Sequence, residues 1–417
     1  MTDFNSLGIS PRLLARLTEM GLTTPTPIQQ QAIPHVMEGR DVMGLAQTGT
    51  GKTLAFGLPI AQKLAQIHGR AAPKTARALI LAPTRELAKQ IEAALKDFTR
   101  GTPTRIYVVV GGASINVQID KLSRGTDILV ATPGRLMDLL ERRAVDLSQS
   151  HYLVLDEADQ MLDMGFIHAL RKIVRYLPAE RQTLLFSATM PKLMAEIAQA
   201  YLSDPVRVEA APPGKVADKI DQAVHYVGQG DKAKLLESYL DKHRDELALV
   251  FGRTKHGAEK LMKLLASWGF AAASIHGNKS QGQRDRALAA FKAGEIRVLV
   301  ATDVAARGLD IPEVRHVYNY DLPNVPENYI HRIGRTARAG LAGKAIAFCA
   351  PAEMDELRAI EKATKLRLPV IGGTPWSAAE VSAAPKPQQG RGQQAKPART
   401  GGRRRPNQKN PGRRRAA

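Results

Sequence analysis

Four apolar residues run directly into three carboxylates in the stretch Tyr152-Leu153-Val154-Leu155-Asp156-Glu157-Ala158-Asp159. An apolar run of this length predicts a buried β-strand. The carboxylates follow at its carboxyl end, which is the edge at which an open α/β sheet binds its ligands. The stretch therefore predicts a sheet with a polar site at this edge.

A glycine-rich segment upstream predicts a phosphate-binding loop, Ala46-Gln47-Thr48-Gly49-Thr50-Gly51-Lys52-Thr53. It lies between an apolar run and a helical pattern, where backbone N–H groups can face phosphates. We expect all eight residues to contact a nucleotide, with Lys52 on the β and γ phosphates and the Thr53 hydroxyl on Mg²⁺. Ala46 departs from the general pattern, which has glycine there.

The acids complete this prediction. Asp156 is expected to hold Mg²⁺ through water, and Glu157 to orient or deprotonate the attacking water, as phosphoryl transfer requires. For Asp159 we expect structural coupling. The alternatives are a glycine-rich turn with an accidental lysine and an acidic surface loop. The two patterns together favour magnesium-dependent nucleotide hydrolysis.

Short apolar runs alternate with amphipathic, helix-length segments along most of the chain, which is typical of parallel sheets covered by helices. Six runs precede the linker-like segment Ala210-Ala211-Pro212-Pro213-Gly214-Lys215, and six follow it. The sequence thus predicts an α/β protein with two similar sheets, formed by residues 42–45, 78–81, 106–110, 128–130, 152–155 and 183–186, and by residues 223–227, 247–251, 271–275, 298–300, 314–318 and 345–348.

The charge of the chain predicts a polyanionic partner, with nucleic acid favoured over anionic membrane. The formal net charge is +20, of which +11 lies in residues 381–417, a segment without acids. The single cysteine, Cys349, lies in an apolar run and is expected to be a buried hydrophobe in a reducing cytoplasm. We find no signal-peptide pattern and no run long enough to span a bilayer.

Four motifs resemble those of the DEAD-box ATP-dependent RNA helicases, and they occur in the family's order over roughly residues 4–340. They are Ala46–Thr53, Asp156–Asp159, Ser187-Ala188-Thr189 and His331-Arg332-Ile333-Gly334-Arg335-Thr336-Ala337-Arg338. The chain is most similar to the bacterial RhlE-type group, judged by residues 301–312 and the short basic tail.

The resemblance implies an enzyme with two tandem RecA-like domains, ATP and Mg²⁺ as cofactors, and RNA as partner. We expect an ATP-binding domain at residues 1–208, a linker at 209–218, a helicase domain at 219–372 and a disordered Arg/Gly/Pro-rich basic tail at 373–417. The tail either tethers RNA or only solubilises the protein.

The resemblance also implies an adenine-binding segment, the Q motif, at Gly21-Leu22-Thr23-Thr24-Pro25-Thr26-Pro27-Ile28-Gln29. The amide of Gln29 can donate and accept together at the adenine edge, and a surface position on a helix is its alternative. Phe4 lies where the family packs an aromatic on the base; a hydrophobic staple onto the first helix is equally open. Leu22 departs from the family, which often has an aromatic there. Asp310 resembles the residue that contacts the ribose and γ-phosphate region.

Arg335 and Arg338 resemble the arginine fingers of the family, which act on the γ phosphate bound by the other half. A solvated basic face is the alternative. The resemblance also implies that domain closure is coupled to strand separation through His331, Ser187 and Thr189. For Ser187 and Thr189, an interdomain contact without a coupling role is the alternative. Ala337 stands where the family often has glycine.

The RNA path is implied by segments rich in glycine, threonine and arginine, which suit contacts to the RNA backbone. With 5% aromatic residues, the chain has few side chains for reading bases. We expect largely sequence-independent contacts, although each segment alone could be an ordinary capped helix start. The candidates are Pro83, Thr84, Arg85, Gly112, Thr132, Pro133, Gly134, Arg135, Arg253, Thr254, Gly277, Gln281, Arg284, Thr302 and Asp303.

These features predict RNA-stimulated ATP hydrolysis coupled to closure of two domains and to local separation of short RNA duplexes or remodelling of RNA–protein complexes. An ATP-gated RNA clamp, and an annealing chaperone that binds RNA mainly through its tail, are the alternatives. A DNA translocase is disfavoured by the motifs. Ribosomal and RNA-decay complexes are both open as partners.

Overall fold

The protein is described by a computed structural model, which covers residues 3–46, 49–190, 192–209, 220–306, 314–337 and 342–384. These residues form two parallel seven-stranded sheets, each flanked by helices. Residues 210–218 of the linker predicted at 209–218 and residues 385–417 of the predicted tail lie outside the described residues, whereas Glu209 is the last residue of a strand.

The first half carries one sheet, with strand order β3-β4-β2-β5-β6-β1-β7 and every neighbouring pair parallel. Its elements are α1 Pro11–Glu19, α2 Pro27–Met37, β1 Val42–Leu45, α3 Lys52–Ala65, β2 Ala76–Leu81, α4 Arg85–Phe98, β3 Ile106–Val109, α5 Ile115–Leu122, β4 Thr126–Ala131, α6 Pro133–Glu141, β5 Tyr152–Leu155, α7 Ala158–Asp163, α8 Ile167–Ile173, a 3₁₀ turn Val174–Tyr176, β6 Gln182–Ser187, α9 Lys192–Tyr201 and β7 Val206–Glu209.

The second half repeats this architecture, with strand order β10-β11-β9-β12-β13-β8-β14. Each strand occupies the place of the strand seven earlier in the first sheet. Its elements are β8 Ile220–Tyr226, α10 Lys232–Asp241, β9 Leu247–Phe251, α11 Lys255–Ser267, β10 Ala272–Ile275, α12 Gln281–Lys292, β11 Val298–Ala301, α13 Asp303–Ala306, β12 Val314–Asn319, α14 Pro326–Ile333, β13 Gly343–Cys349, a 3₁₀ turn Pro351–Glu353, α15 Met354–Thr364, β14 Val370–Gly372 and α16 Ala378–Ala383.

The strands are apolar on both faces because helices cover both sides of each sheet. In β5, Leu153 and Leu155 join the core on one face, while Val154 joins the core on the other. All three side chains are fully buried. The strand thus continues with no exposed face up to Asp156, which begins the carboxyl edge of the sheet.

All twelve predicted apolar runs lie in strands, and the structure adds β7 and β14. Each added strand is the edge neighbour of the first strand in its sheet. In β7 only Val208 is buried, and β14 has no buried residue. Neither β7 nor β14 carries a continuous apolar run, so periodicity does not reveal these two strands, although it does reveal the opposite edge strands β3 and β10.

The folded second half continues past residue 373, the predicted start of the tail. The indole Nε1 of Trp376 donates a hydrogen bond of 2.9 Å to the carbonyl oxygen of Cys349. Trp376 and Val381 also pack against the core beneath the second sheet. Residues 373–384 are therefore part of this fold, because an aromatic side chain anchors a segment of otherwise polar composition.

Cys349 itself is fully buried, as the sequence predicts. Burial raises the pKa of its thiol to about 12, so the thiolate is not accessible near neutral pH. Within the described ranges, none of the helices combines the length and apolar character needed to cross a lipid bilayer.

Candidate nucleotide and nucleic-acid sites

The phosphate loop connects β1 to α3, as the sequence predicts. Lys52 is the first residue of α3, and Gly51 caps the helix with φ = +90°. Gly49 also has a positive φ, of +87°. Such backbone angles favour glycine, so the two glycines permit the tight turn that directs N–H groups inward. Gln47 and Thr48 lie outside the described residues.

The Lys52 ammonium lies inside the loop and is only 5% exposed. Its Nζ donates a hydrogen bond of 3.1 Å to the carbonyl oxygen of Ala46 and lies 3.6 Å from Asp156 Oδ1. Phosphates that enter this loop would meet a buried cation already held between a carbonyl and a carboxylate. The residues fit a bound nucleoside triphosphate, and the role of Lys52 on its phosphates stays a prediction.

Gln29 is buried and joins α2 to the phosphate loop, so the alternative of a surface position is wrong. Its Nε2 donates to the carbonyl oxygen of Gly51 at 3.0 Å, while its Oε1 accepts from the Thr26 N–H at 2.9 Å. The Thr26 hydroxyl donates to the carbonyl oxygen of Thr50 at 2.7 Å. The Gln29 amide is thus hydrogen-bonded to the phosphate loop. Its contact with adenine stays a prediction.

Phe4 is 3% exposed and packs in the core of the first half. This position agrees with the packing alternative, because its ring is covered by protein atoms. Stacking of Phe4 on a base stays a prediction. Asp310 lies outside the described residues.

Asp156 lies at the carboxyl end of β5, where its N–H donates to the carbonyl oxygen of Leu81 at 2.9 Å. The carboxylate is 2% exposed. Burial raises the pKa of Asp156 to about 6, although the neighbouring Lys52 ammonium acts in the opposite direction. Burial destabilises the charged form of this carboxylate, and a nearby cation would stabilise it. Asp156 therefore fits Mg²⁺ binding, together with the hydroxyl of Thr53, the second residue of α3.

Glu157 follows with φ = +49° and ψ = +51°, the left-handed region that residues other than glycine seldom adopt. The side chain is 2% exposed. This backbone angle costs about 1–3 kcal/mol, a strain that is typical of functional positions. The turn lets two adjacent carboxylates share one buried site between β5 and α7.

Asp159 connects the acids to the segment that follows β6. Its Oδ2 accepts hydrogen bonds from the N–H of Ala188 at 3.1 Å and from the N–H of Thr189 at 2.8 Å, and a third from the Thr189 hydroxyl at 2.8 Å. The Ser187 hydroxyl donates to the carbonyl oxygen of Thr189 at 2.6 Å. The Ser187 carbonyl in turn accepts from the N–H of Ala46 at 2.9 Å. One network therefore joins the acids, this segment and the phosphate loop.

Arg332 and Arg335 of the second-half basic motif are buried, so a solvated basic face does not describe these two arginines. Arg332 is 1% exposed and Arg335 is 3% exposed. Arg332 makes a bidentate ion pair with Asp303, at 2.5 Å from Nε and 2.8 Å from Nη2. The Nε of Arg335 donates to the carbonyl oxygen of His331 at 3.1 Å. Arg338 lies outside the described residues.

The pairing with Arg332 changes the interpretation of Asp303. Its two carboxylate oxygens are both engaged by the guanidinium. Asp303 therefore positions Arg332, and a contact of Asp303 with RNA stays a prediction. Thr302 precedes it, and its carbonyl oxygen accepts from the N–H groups of Ala305 and Ala306 at the start of α13.

Six of the eight first-half RNA candidates, all except Gly112 and Pro133, line a cavity of about 410 Å³. Two of them start helices: the Thr84 hydroxyl accepts from the Leu87 N–H, and Thr132 precedes α6. Gly112 has φ = +77°, and a Cβ there would lie 2.2 Å from Arg85 Nη1. The cavity lining from this half includes Pro83, Thr84, Arg85, Gly111, Thr132, Gly134 and Arg135.

The second half closes the same cavity with Arg284 and Val304. Glu86, which the sequence analysis did not select, joins the halves: its Oε1 lies 3.0 Å from Gln281 Nε2 and 3.0 Å from Arg284 Nη2. Arg85 Nη1 also donates to Gln281 Oε1 at 3.1 Å. The only sequence signal for Glu86 is its place directly after three RNA candidates.

The structure does not bring Arg253 to this cavity. Its Nη2 donates at 3.1 Å both to Glu353 Oε1 and to the carbonyl oxygen of Leu322. Glu353 also binds the fully buried Lys232 at 2.6 Å. Arg253 is therefore a member of a largely buried ionic network, because charges at the ends of β9 and β12 need partners, and its contact with RNA stays a prediction. Thr254 caps α11.

A hydrogen-bonded cluster centred on the Glu259 carboxylate, which the sequence did not reveal, lies at the end of β10. Glu259 Oε2 accepts from Ser274 Oγ at 2.6 Å and contacts His276 Nε2 at 3.0 Å and Lys279 Nζ at 2.9 Å. These bonds lower the pKa of Glu259 to about 2. The cluster fixes the loop after β10, where Gly277 is exposed with open space around it.

Comparisons with known proteins give matches in both halves of the chain. The family model described as DEAD/DEAH box helicase matches residues 26–197, and the model described as helicase conserved C-terminal domain matches residues 231–340. The chain is 45% identical over 379 residues to the ATP-dependent RNA helicase CshA of Listeria monocytogenes, an alignment that covers 91% of this chain and 72% of the relative.

Two solved structures are similar to this chain in fold as well as in sequence. Dbp5 of S. cerevisiae, bound to RNA and ADP BeF3, is 31% identical with a TM-score of 0.79, covering 89% of this chain and 96% of that one. A DEAD box protein of Methanococcus jannaschii is 36% identical with a TM-score of 0.52, covering 89% and 99%. By its motifs, its two sheets and these matches, the chain belongs to the DEAD/DEAH box helicase family.

Proposed function

We propose that this chain hydrolyses ATP with Mg²⁺ and uses the cycle to grip and release RNA between its two halves, separating short duplexes locally. Family membership supports the helicase activity. The relative CshA is an ATP-dependent RNA helicase, and the yeast relative of similar shape holds RNA and a nucleotide analogue. Among helicases, we retain the RhlE-type group as the predicted subgroup.

The observation that carries the proposal is the contact of Glu86 with Gln281 and Arg284 across the two halves. It lies at the cavity whose walls come from both halves and include most of the first-half RNA candidates. A strand bound there would touch both halves at once. RNA binding would therefore favour the arrangement in which the halves meet, and by linkage so would any ligand bound across them.

The nucleotide site supplies the chemistry. Lys52 and the turn formed by Gly49 and Gly51 would hold the phosphates, and Asp156 with Thr53 would hold Mg²⁺. When bound, the metal would neutralise charge that develops on the transferring phosphate. Glu157, held in a buried and strained turn, would orient the attacking water and accept its proton. Arg335 would add positive charge from the second half.

The hydrogen-bonded network of Asp159, Thr189, Ser187 and Ala46 supports coupling between the two activities. A change in the phosphate loop would reach the acids through a continuous set of partly buried polar contacts. Such a network transmits movement well, because none of its members can shift without leaving a buried polar group unpaired.

The proposed RNA contacts are to the backbone. The cavity offers helix starts, glycines and arginines and few groups that read base edges. Sequence-independent contacts would allow the protein to act on many different RNAs. Ribosome assembly and RNA decay are both candidate processes for this activity. We retain the cytoplasm as the predicted location.

Glu157→Gln tests the proposal. The variant should bind ATP and RNA as the parent does, while RNA-stimulated hydrolysis falls by roughly 100-fold or more, the usual contribution of a general base. Glu196→Gln, an exposed carboxylate on α9, is the matched control and should retain full turnover. Normal hydrolysis by Glu157→Gln would refute the assigned chemistry. Duplex displacement by the parent protein separates a helicase from an ATP-gated clamp.

A further inference from the structure

Two histidines and a glutamate converge on the second half, at the edge of the sheet opposite the nucleotide and RNA sites. His243 and Glu246 lie in the turn between α10 and β9, and His316 lies on β12. Because β9 and β12 are parallel neighbours, this turn lies beside the first residues of β12. We call these three residues the His–Glu–His cluster.

The donor atoms of the cluster point at one another. His316 Nε2 hydrogen-bonds to Glu246 Oε2, and His243 Nδ1 lies 3.4 Å from the same oxygen. One ligand atom from each residue lies within 4.8 Å of the other two. Two imidazole nitrogens thus lie close to the same carboxylate oxygen. No other group of three potential metal ligands meets this criterion in the described part of the chain.

The cluster is held rigidly on one side and open on the other. His316 is 6% exposed, and its ring is stacked 6.0 Å from Tyr318 and 4.3 Å from His243. The side chains of His243 and Glu246 are 38% and 44% exposed. An ion could therefore reach the cluster from solvent, while the buried imidazole provides a fixed ligand.

Imidazole and carboxylate together suit Zn²⁺ and similar transition metals, which bind nitrogen at about 2.0–2.1 Å and oxygen at about 2.0–2.2 Å. Tetrahedral coordination with these bonds places ligand atoms roughly 3–3.5 Å apart. A 3.4 Å separation already exists between His243 Nδ1 and Glu246 Oε2. Three protein ligands and one water complete such a site.

We propose that the His–Glu–His cluster binds a single Zn²⁺ or Ni²⁺-class ion, which ties the α10–β9 turn to β12. The site is separate from the Mg²⁺ site at Asp156, which belongs to the other half and offers oxygen ligands. Mg²⁺ demands oxygen ligands and near-octahedral geometry, so it does not compete for two imidazoles. The ion acts on the stability of the second half, not on ATP hydrolysis.

The affinity should be moderate. Ligating histidines usually donate their second N–H to an acceptor, and such partners alone change metal affinity by about 10- to 100-fold. His316 Nδ1 has no hydrogen-bond partner among the residues that the structure describes. The cluster thus provides the direct ligands without this further support.

Calorimetric titration of the metal-free full chain with Zn²⁺, without nucleotide and with excess Mg²⁺, tests the proposal. One equivalent should bind, and Zn²⁺ should raise the melting temperature, because an ion that binds only the folded state stabilises it. Titration with Co²⁺ should give the visible absorption of a nitrogen- and oxygen-ligated site.

His243→Ala is the main variant, because its ring is partly exposed and its loss should not disturb folding. It should weaken Zn²⁺ binding at least about tenfold, since loss of a direct ligand should exceed the effect of outer partners. Glu246→Gln should act in the same direction. His256→Ala, an exposed histidine on α11, is the control and should bind like the parent. Unchanged binding by His243→Ala, or no binding by the parent protein, would overturn the proposal.

Discussion

Asp159 and Thr189 meet at a single carboxylate oxygen, which accepts two 2.8 Å hydrogen bonds from the backbone N–H and the hydroxyl of Thr189. Asp159 belongs to the acids that follow β5, and Thr189 belongs to the segment that follows β6. The same segment reaches the phosphate loop through the Ser187 carbonyl. A change in the nucleotide site therefore cannot leave this segment in place without breaking buried hydrogen bonds.

Thr189→Val should separate duplex unwinding from ATP hydrolysis. It removes one hydroxyl donor from a charged acceptor while keeping a similar shape, a loss of about 1.5–3 kcal/mol. We expect unwinding of a short RNA duplex to fall roughly tenfold or more, and RNA-stimulated hydrolysis to fall much less. Parallel unwinding and phosphate-release assays measure the two rates.

Thr183→Val is the matched control for this change. Thr183 lies on β6, is fully buried, and its hydroxyl has no hydrogen-bond partner within the described residues. Both rates should stay at the parent level, because no bond is lost. Equal losses of unwinding and hydrolysis in Thr189→Val would contradict a coupling role for the pair.

Glu86→Gln should weaken communication between the halves. The carboxylate is 6% exposed and holds Gln281 and Arg284 from the second half. Loss of its charge weakens hydrogen bonds worth about 1.5–3 kcal/mol. The factor by which a non-hydrolysable ATP analogue tightens RNA binding should fall roughly tenfold, as fluorescence anisotropy would measure.

Lys89→Ala tests whether any contact between the halves would have this effect. Lys89 pairs with Asp285 at 2.7 Å, and both side chains are more than 40% exposed. Exposed pairs contribute about 0.2–1 kcal/mol. The analogue's effect on RNA binding should therefore change by less than about fivefold. A larger effect from Lys89→Ala than from Glu86→Gln would exclude the special role of Glu86.

Gly51→Ala should impair nucleotide binding by disturbing Gln29. Gly51 has φ = +90°, and a Cβ would lie 2.4 Å from Gln29 Nε2. The change combines backbone strain of about 1–3 kcal/mol with loss of the Gln29 to Gly51 hydrogen bond. Affinity for a fluorescent ATP analogue should drop at least about tenfold.

Gly269→Ala is the control that introduces backbone strain without a contact to Gln29. Gly269 has φ = +83° with open space around its Cβ position, far along the chain from the phosphate loop. It should lower the melting temperature of the protein without changing nucleotide affinity. If Gly51→Ala behaved in the same way, the link between Gln29 and the phosphate loop would have no part in binding.

Glu259→Gln should change the acid sensitivity of the second half. Hydrogen bonds from Ser274, His276 and Lys279 lower the pKa of Glu259 from 4.5 to about 2. A carboxylate with a lowered folded pKa stabilises the fold above its unfolded pKa and loses this contribution as pH falls through the folded pKa. The difference in unfolding free energy between parent and variant should be constant from pH 5 to 7 and shrink between about pH 4.5 and 2.

Urea denaturation at pH 7, 4 and 3 measures this difference. Lys279→Ala removes one of the three partners and should reduce the parent's advantage in the same pH window by a smaller amount. A difference between parent and Glu259→Gln that did not vary between pH 7 and pH 3 would show that the charge of Glu259 does not contribute to folding stability.

The sequence alone determined the class of fold and the centre of the nucleotide site. Runs that are apolar on both faces indicate strands of a parallel sheet covered by helices. The proximity of Lys52 and Asp156 could also be predicted, because the phosphate loop and the end of β5 must lie at the same edge of the sheet. Edge strands β7 and β14 escaped this reasoning, because half-exposed strands carry no continuous apolar signal.

Only the tertiary structure decided which side chains pair. Glu86 meets Arg284 across the halves, Arg253 turns into an ionic network with Glu353, and His243 approaches His316 through the register of β9 and β12. These partners are far apart in the sequence. Periodicity determines which face of an element is buried, but a buried charge takes whichever partner the packed sheets and helices bring within a few ångströms.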